Sequence, residues 1–135
     1  MAAGPSSLEC SSRSRKHRME RWYLATMMSL LLHQIDAAFW QEWRMFQVPG
    51  GIQGFLLFNL LAIGVLLHGY RQVVLGLGSA RRYALLCGAL GIGTALIHAG
   101  FAAAGRDEFH LPLSLLTLLA CLVSGSGLLL HSRRR

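Results

Sequence analysis

Charge is what this chain has least of. Only 14 % of its 135 residues are Asp, Glu, Lys or Arg, against about 25 % in a soluble domain. That deficit excludes an ordinary water-facing surface. With 53 % hydrophobic residues and a mean hydropathy of +0.44, it points to a membrane. Cysteine is also scarce. Cys10, Cys87 and Cys121 are odd in number and show no C-x-x-C or C…H spacing, so neither a disulfide framework nor a zinc ribbon is supported. Cys87 and Cys121 sit inside apolar runs, as small packing residues do. Cys10 has no apolar segment before it and so is not a lipoprotein cysteine. G-x-S-x-G, P-loop and dinucleotide fingerprints are all missing, and "GLG" at 76–78 is too short to carry meaning. No period-2 alternation exists, which excludes strands, and no internal repeat suggests an inverted-repeat transporter.

What is present is four apolar blocks: Trp22 to Trp40, Gly51 to His68, Tyr83 to Ala104 and Leu111 to Leu130. Each approaches the roughly 20 residues that a helix needs to cross a bilayer. "VPGG", "GLGSARR" and "GRDEFHLP" break the chain between them, and Pro112 suits the first turn of the last helix. The expected fold is all-α, an integral-membrane four-helix up-down bundle over residues 22–130. Residues 1–21, Ser- and Arg-rich, read as a disordered basic cytoplasmic tail, and 131–135 as a second basic tail. Met19 opens "MERWYLATMM" and would itself serve as a start; a genuine basic tail is the alternative. The first block resembles a signal peptide in its flanks, but no small-x-small site follows it, so cleavage is not expected.

Eleven of the thirteen basic residues lie before the first block, between the second and third, or after the last; only Arg44 and Arg106 fall on the other side. The positive-inside rule then puts both termini in the cytoplasm of a multi-pass plasma-membrane protein. Trp22 and Tyr23 are expected at the inner interface, Trp40 and Trp43 at the outer one. The same distribution argues against nucleic acid, because the basic residues do not interleave with stacking aromatics on one face.

At about 100° per residue, Ser29, His33, Asp36 and Trp40 share one stripe of the first helix. Cys87, Gly91, Thr94 and His98 share one on the third, and Ser114, Thr117, Cys121 and Ser124 one on the fourth. Such stripes face inward, where small and polar residues let helices approach and bond. Ser29, Asn59, Thr94, Ser114, Thr117 and Ser124 are therefore expected as helix-packing polar groups, with Asn59 joining helices across the most uniformly apolar block.

An aspartate at mid-membrane costs about 2.5–3.5 kcal/mol on insertion scales. Asp36 lies nearer the outer end but still needs a partner. His33 is one turn earlier, and His98 and His110 converge on the same outer region. Glu42 falls about 180° from His33 on an ideal helix, and is expected to point elsewhere or to follow the helix end. The plainest reading is a hydrogen-bonded clamp in a structural or accessory membrane protein. The alternative is a divalent metal such as zinc on His33, Asp36, His98 and His110, which could support hydrolysis. A proton-coupled transporter is a further alternative, requiring a dimer because four spans enclose little. Two bis-histidine haems, pairing His33 with His98 and His68 with His131, are a weaker option than interfacial histidines. The expected surroundings are the lipid bilayer, with a second copy or another membrane protein as the compatible partner.

The stretch "LHQIDAAFWQEWRMFQVPGGIQGFLLFNLL" resembles a family of small bacterial integral-membrane proteins classed only as a domain of unknown function. The resemblance rests on an H-x-x-D-A-x-x-W-x-E-W signature followed by P-G-G, here His33, Asp36, Ala37, Trp40, Glu42, Trp43, Phe46, Pro49, Gly50 and Gly51. It covers about the first half of the chain. It implies a multi-span membrane protein of bacterial origin and no particular activity. A looser similarity, to proteins with a His-x-x-Glu-Glu motif, is weakened by Asp36 and Ala37 at the acidic positions.

Overall fold

The computed structural model of the protein describes residues 7–105 and 111–133. Among these residues there are five helices and no strand: α1 (Ser7–Phe39), α2 (Glu42–Met45), α3 (Ile52–Leu75), α4 (Ala80–Ala103) and α5 (Pro112–Arg133). The all-helical expectation therefore holds, with one short helix, α2, that it did not include. Pro112 opens α5 as expected, at the position where its missing N–H costs nothing.

α1 starts well before the first apolar block. Residues 7–21, expected as part of a disordered tail, are helical. No Gly or Pro interrupts the sequence from 6 to 39, so a helix nucleated in the apolar part can propagate upstream through Ser, Arg, Lys and Glu at little cost.

The helices stop where the backbone turns left-handed. Gly76 ends α3 at φ 68°, with Leu77 N–H donating to Gln72 O (3.0 Å) and Gly76 N–H to Val73 O (3.1 Å). This pair of bonds satisfies the last carbonyls of α3. α1 ends differently. Gln41 adopts φ 55°, ψ 44°, and α2 then closes on Gln47 at φ 50° with Val48 N–H donating to Trp43 O (2.8 Å). Non-glycine residues seldom hold such angles, and two within seven residues fold the chain back beneath the end of α1.

Contacts across helices fix their directions. Tyr23 near the start of the apolar part of α1 donates to Leu66 O of α3 (2.9 Å), and Trp22 stacks on His131 of α5. At the other end His33 meets His98 of α4, and Asp36 meets Ser114 of α5. Successive long helices thus alternate in direction. α1 and α4 touch each other and both flanking helices, whereas α3 and α5 do not meet.

One end is close-packed around Tyr23, Val73, Ala84, Cys87, Cys121 and Leu128, each at most 1 % exposed. Glycine permits it. A Cβ added at Gly125 would sit 2.8 Å from the Gly88 carbonyl oxygen, and one at Gly91 would sit 2.9 Å from that of Cys121. Tyr23, expected at an interface, is instead wholly interior. Its hydroxyl occupies the space that a side chain at Gly69 would take, and from there donates to the Leu66 carbonyl.

Large apolar side chains point outward. Leu56, Leu57, Phe58, Leu60 and Leu61 of α3 are all more than half exposed, the reverse of a water-soluble core. α3, α4 and α5 are long and apolar enough to cross a membrane, and α3 is the least buried of them. α1 falls outside that class because His33, Gln34 and Asp36 interrupt its apolar run.

Most of the expected packing hydroxyls and amides do not bond between helices. Ser29, Thr117 and Ser124 donate to carbonyls four residues earlier in their own helices, as does the amide of Asn59 to Phe55 O. Among the described residues Asn59 thus makes no bond to another helix. The helix offers each short polar side chain an acceptor one turn back, nearer than any neighbour. Thr94 contributes its carbonyl. Among the described residues, Ser114 is the one of the six whose side chain reaches across to another helix.

Candidate functional site

Two histidines and a glutamate meet at the end of the molecule opposite Tyr23. His33, Glu42 and His98 are 2 %, 6 % and 6 % exposed, and one donor atom from each lies within 4.8 Å of the others. His98 Nε2 is 2.8 Å from Glu42 Oε1, and His33 Nε2 is 3.7 Å from the same oxygen. The two imidazoles stand edge to face, with centroids 4.7 Å apart. Each residue comes from a different element: α1, α2 and α4.

The backbone explains how Glu42 arrives. Had α1 continued, the carboxylate would have pointed away from His33. The left-handed Gln41 ends α1 and turns α2 back under it. Aromatic contacts then hold α2: Trp43 lies against Phe55 of α3 and Phe46 against Phe101 of α4, both with ring centroids 5.3 Å apart. Pairs of this kind add about 0.5–1.5 kcal/mol beyond the area they bury. Gly50 and Gly51, at φ 79° and 58°, then launch α3.

Asp36 is not part of this group. It lies half-buried on the side of α1 facing α5, and its Oδ1 accepts from Ser114 Oγ at 2.9 Å. His33 and His98 come together as expected. Glu42, expected elsewhere, joins them, and His110 lies outside the described residues. The missed residue left a faint trace in the sequence: a carboxylate beside the aromatic residues Trp43 and Phe46, just before a Pro-Gly-Gly break. His68 and His131, the other histidines weighed for haem, have local partners. His68 accompanies Gln72 and Tyr83, while His131 donates to Gly127 O and stacks on Trp22.

Hydrogen-bond accounting constrains the site chemistry. His98 Nδ1 is 2.9 Å from the Thr94 carbonyl. A carbonyl only accepts, so Nδ1 carries a hydrogen and donates. Nε2 faces Glu42 Oε1 at hydrogen-bond distance, so a proton lies between the two, carried by one or the other. A metal ion bound here would take that proton's place. A ring fixed through one nitrogen by a backbone carbonyl, with the other nitrogen turned to the site, is the usual arrangement of a metal-ligating histidine.

A cavity of about 310 Å³ opens from this group between α1, α2, α3 and α4. Trp43, Phe46, Phe55, Phe58 and Ile97 form much of its wall, and the polar part of the lining includes His33, Gln34, Glu42 and His98.

Neither the curated proteins nor the solved structures include a match to this chain. A family model does match, over residues 19–135, and so spans all five helices from the apolar part of α1 onward. On that match the chain belongs to the family of unknown function DUF6713.

Proposed function

We propose that this protein crosses the plasma membrane four times, with both ends in the cytosol, and holds one divalent metal ion between His33, Glu42 and His98. Three helices qualify as spans by length and composition. α1 supplies the fourth, because it runs beside them from the Tyr23–Leu66 contact at one end to the His33–His98 contact at the other. Its polar residues do not count against it. His33 is buried between helices, and hydrocarbon never meets it. Eleven of the thirteen basic residues belong to the segments on the Tyr23 side by the sequence count, which supports placing the metal site in the outer half.

The observation that supports the metal reading is the convergence of two buried imidazoles and a buried carboxylate, with one ligand atom of each within 4.8 Å of the others. Two nitrogens and one oxygen, with a fourth position left open, suit zinc; the same set suits ferrous iron. The 2.8 Å contact between His98 and Glu42 also suits a shared proton, and then the cluster is a structural clamp in an accessory membrane protein.

Metal analysis of protein purified in lipid nanodiscs separates these. The expected result is about one zinc or iron per chain in the wild type and in Asp36→Asn, and none in Glu42→Gln or His98→Ala, since losing a ligand costs more than the 10–100-fold that losing an outer hydrogen bond costs. No metal in the wild type, even after incubation with excess zinc, would leave the clamp. Loss of metal in Asp36→Asn at unchanged thermal stability would contradict the assignment of Glu42.

A further inference from the structure

A metal ion alone does not account for the cavity. It is wider than a metal and a water need, its wall is aromatic and aliphatic, and it is open at one side. Phe46, just after α2, lines it and is 42 % exposed; the most exposed of its lining residues are Phe58 of α3 and Ile97 of α4, at 59 % and 51 %, and the opening is taken to lie on their side. Both residues lie in membrane-spanning helices, so the mouth faces hydrocarbon rather than water. Its volume, about 310 Å³, lies at the small end of the range for small-molecule pockets.

Charge narrows the occupant. A dication held by two neutral imidazoles and one carboxylate leaves one positive charge in apolar surroundings, and such a charge is costly unless it is paired. An anion completes it. A small hydrophilic anion would have to cross hydrocarbon to reach the mouth. An amphiphile with an anionic head already lies in the right medium, with its chain available for the aromatic wall. Gln34 adds a second polar contact. It lines the cavity, and its Oε1 is buried without a hydrogen-bond partner among the described residues. Half a turn of the amide exchanges oxygen for NH₂, which gives a carboxylate oxygen a donor.

We infer that the open side of the His33–Glu42–His98 site takes the carboxylate of a long-chain fatty acid that enters sideways from the lipid between α3 and α4. The inference rests on the metal reading above. The carboxylate fills the fourth position of the ion, Gln34 donates to its second oxygen, and the chain lies along Trp43, Phe55 and Phe58 toward the mouth.

Trp43 is a built-in reporter, because bromine atoms on a nearby chain quench indole fluorescence. The zinc-loaded protein in phosphatidylcholine nanodiscs is titrated with 9,10-dibromostearic acid and, separately, with its methyl ester. The ester partitions into the same lipid but lacks the anion. The acid is expected to quench saturably, with a midpoint at least tenfold below that of the ester. Removing zinc with a chelator should bring the acid to the level of the ester, and restoring zinc should reverse this on the same sample. In Trp43→Phe the acid-specific part should vanish. Equal quenching by acid and ester while zinc stays stoichiometric would overturn the inference and leave the metal reading standing. A sample that takes up no zinc would overturn both. Acid-specific quenching that survives in Trp43→Phe would put the acid in another part of the molecule and overturn the inference.

Discussion

The two ends of this molecule solve opposite problems with the same helices. Around Tyr23, Cys87, Cys121 and Gly125 the chain removes polarity and space: glycines bring α4 and α5 into backbone contact, and the hydroxyls of Thr26 and Ser124 are satisfied within their own helices. Around His33, Glu42 and His98 it does the reverse. It buries two titratable rings and a carboxylate and leaves a cavity beside them. Close packing at one end supplies the stability that an underpacked, polar end costs. The difference separates the part that holds the helices together from the part that can accept a ligand.

Substitutions that cross this division should have graded effects. The largest is expected at the packed end. Gly125→Leu would drive a side chain into the Gly88 carbonyl, and should lower stability by about 3 kcal/mol, the upper range for overpacking. Chemical denaturation in detergent checks it, and the protein that remains folded should still bind its metal. A shift under about 0.5 kcal/mol would mean that α4 and α5 can part without cost, and the packed end would lose its special status.

A smaller effect is expected where the two regions are joined. Ser114→Ala removes the one donor that, among the described residues, reaches Asp36 from another helix, and should cost about 1–2 kcal/mol, as leaving a partly buried acceptor unsatisfied does. Metal content should not change. Loss of metal at this position would tie Asp36 to the site after all and blur the division. The smallest effect is expected at Asn59. Its amide bonds only to its own helix, and its Oδ1 has no partner among the described residues. Asn59→Leu removes both polar atoms together, so stability should change by less than about 0.5 kcal/mol, or rise. A large loss would show that Asn59 joins helices.

Much of the packed end is legible in the sequence. Apolar blocks and the breaks at Gly76 and Pro112 locate α3, α4 and α5 to within a few residues of their blocks at most ends, although α3 runs on seven residues beyond His68. The stripes put Cys87, Gly91 and Cys121 on inward faces, and they are buried there. Of the candidate site, His33 and His98 are legible because imidazoles inside apolar helices must turn inward. Glu42 is not. Helical arithmetic holds only while the helix continues, and Gln41 ends it in a left-handed conformation that glutamine does not advertise as glycine or asparagine would. Asp36 is read correctly as needing a partner but joined to the wrong one. Its stripe faces both α4 and α5, and periodicity in one helix cannot choose between two neighbours. The start of α1 is illegible for another reason: composition marks a polar tail but does not forbid a helix that begins elsewhere and grows into it.

X-ray absorption at the zinc edge, on metal-loaded protein in nanodiscs, tests the division most directly, because each end offers its own ligands. Nitrogen and oxygen scatterers at about 2.0–2.1 Å, with imidazole outer shells and no sulfur, are the expected result. A sulfur shell at about 2.3 Å would assign the metal to Cys87 and Cys121 in the packed end, and would contradict the account.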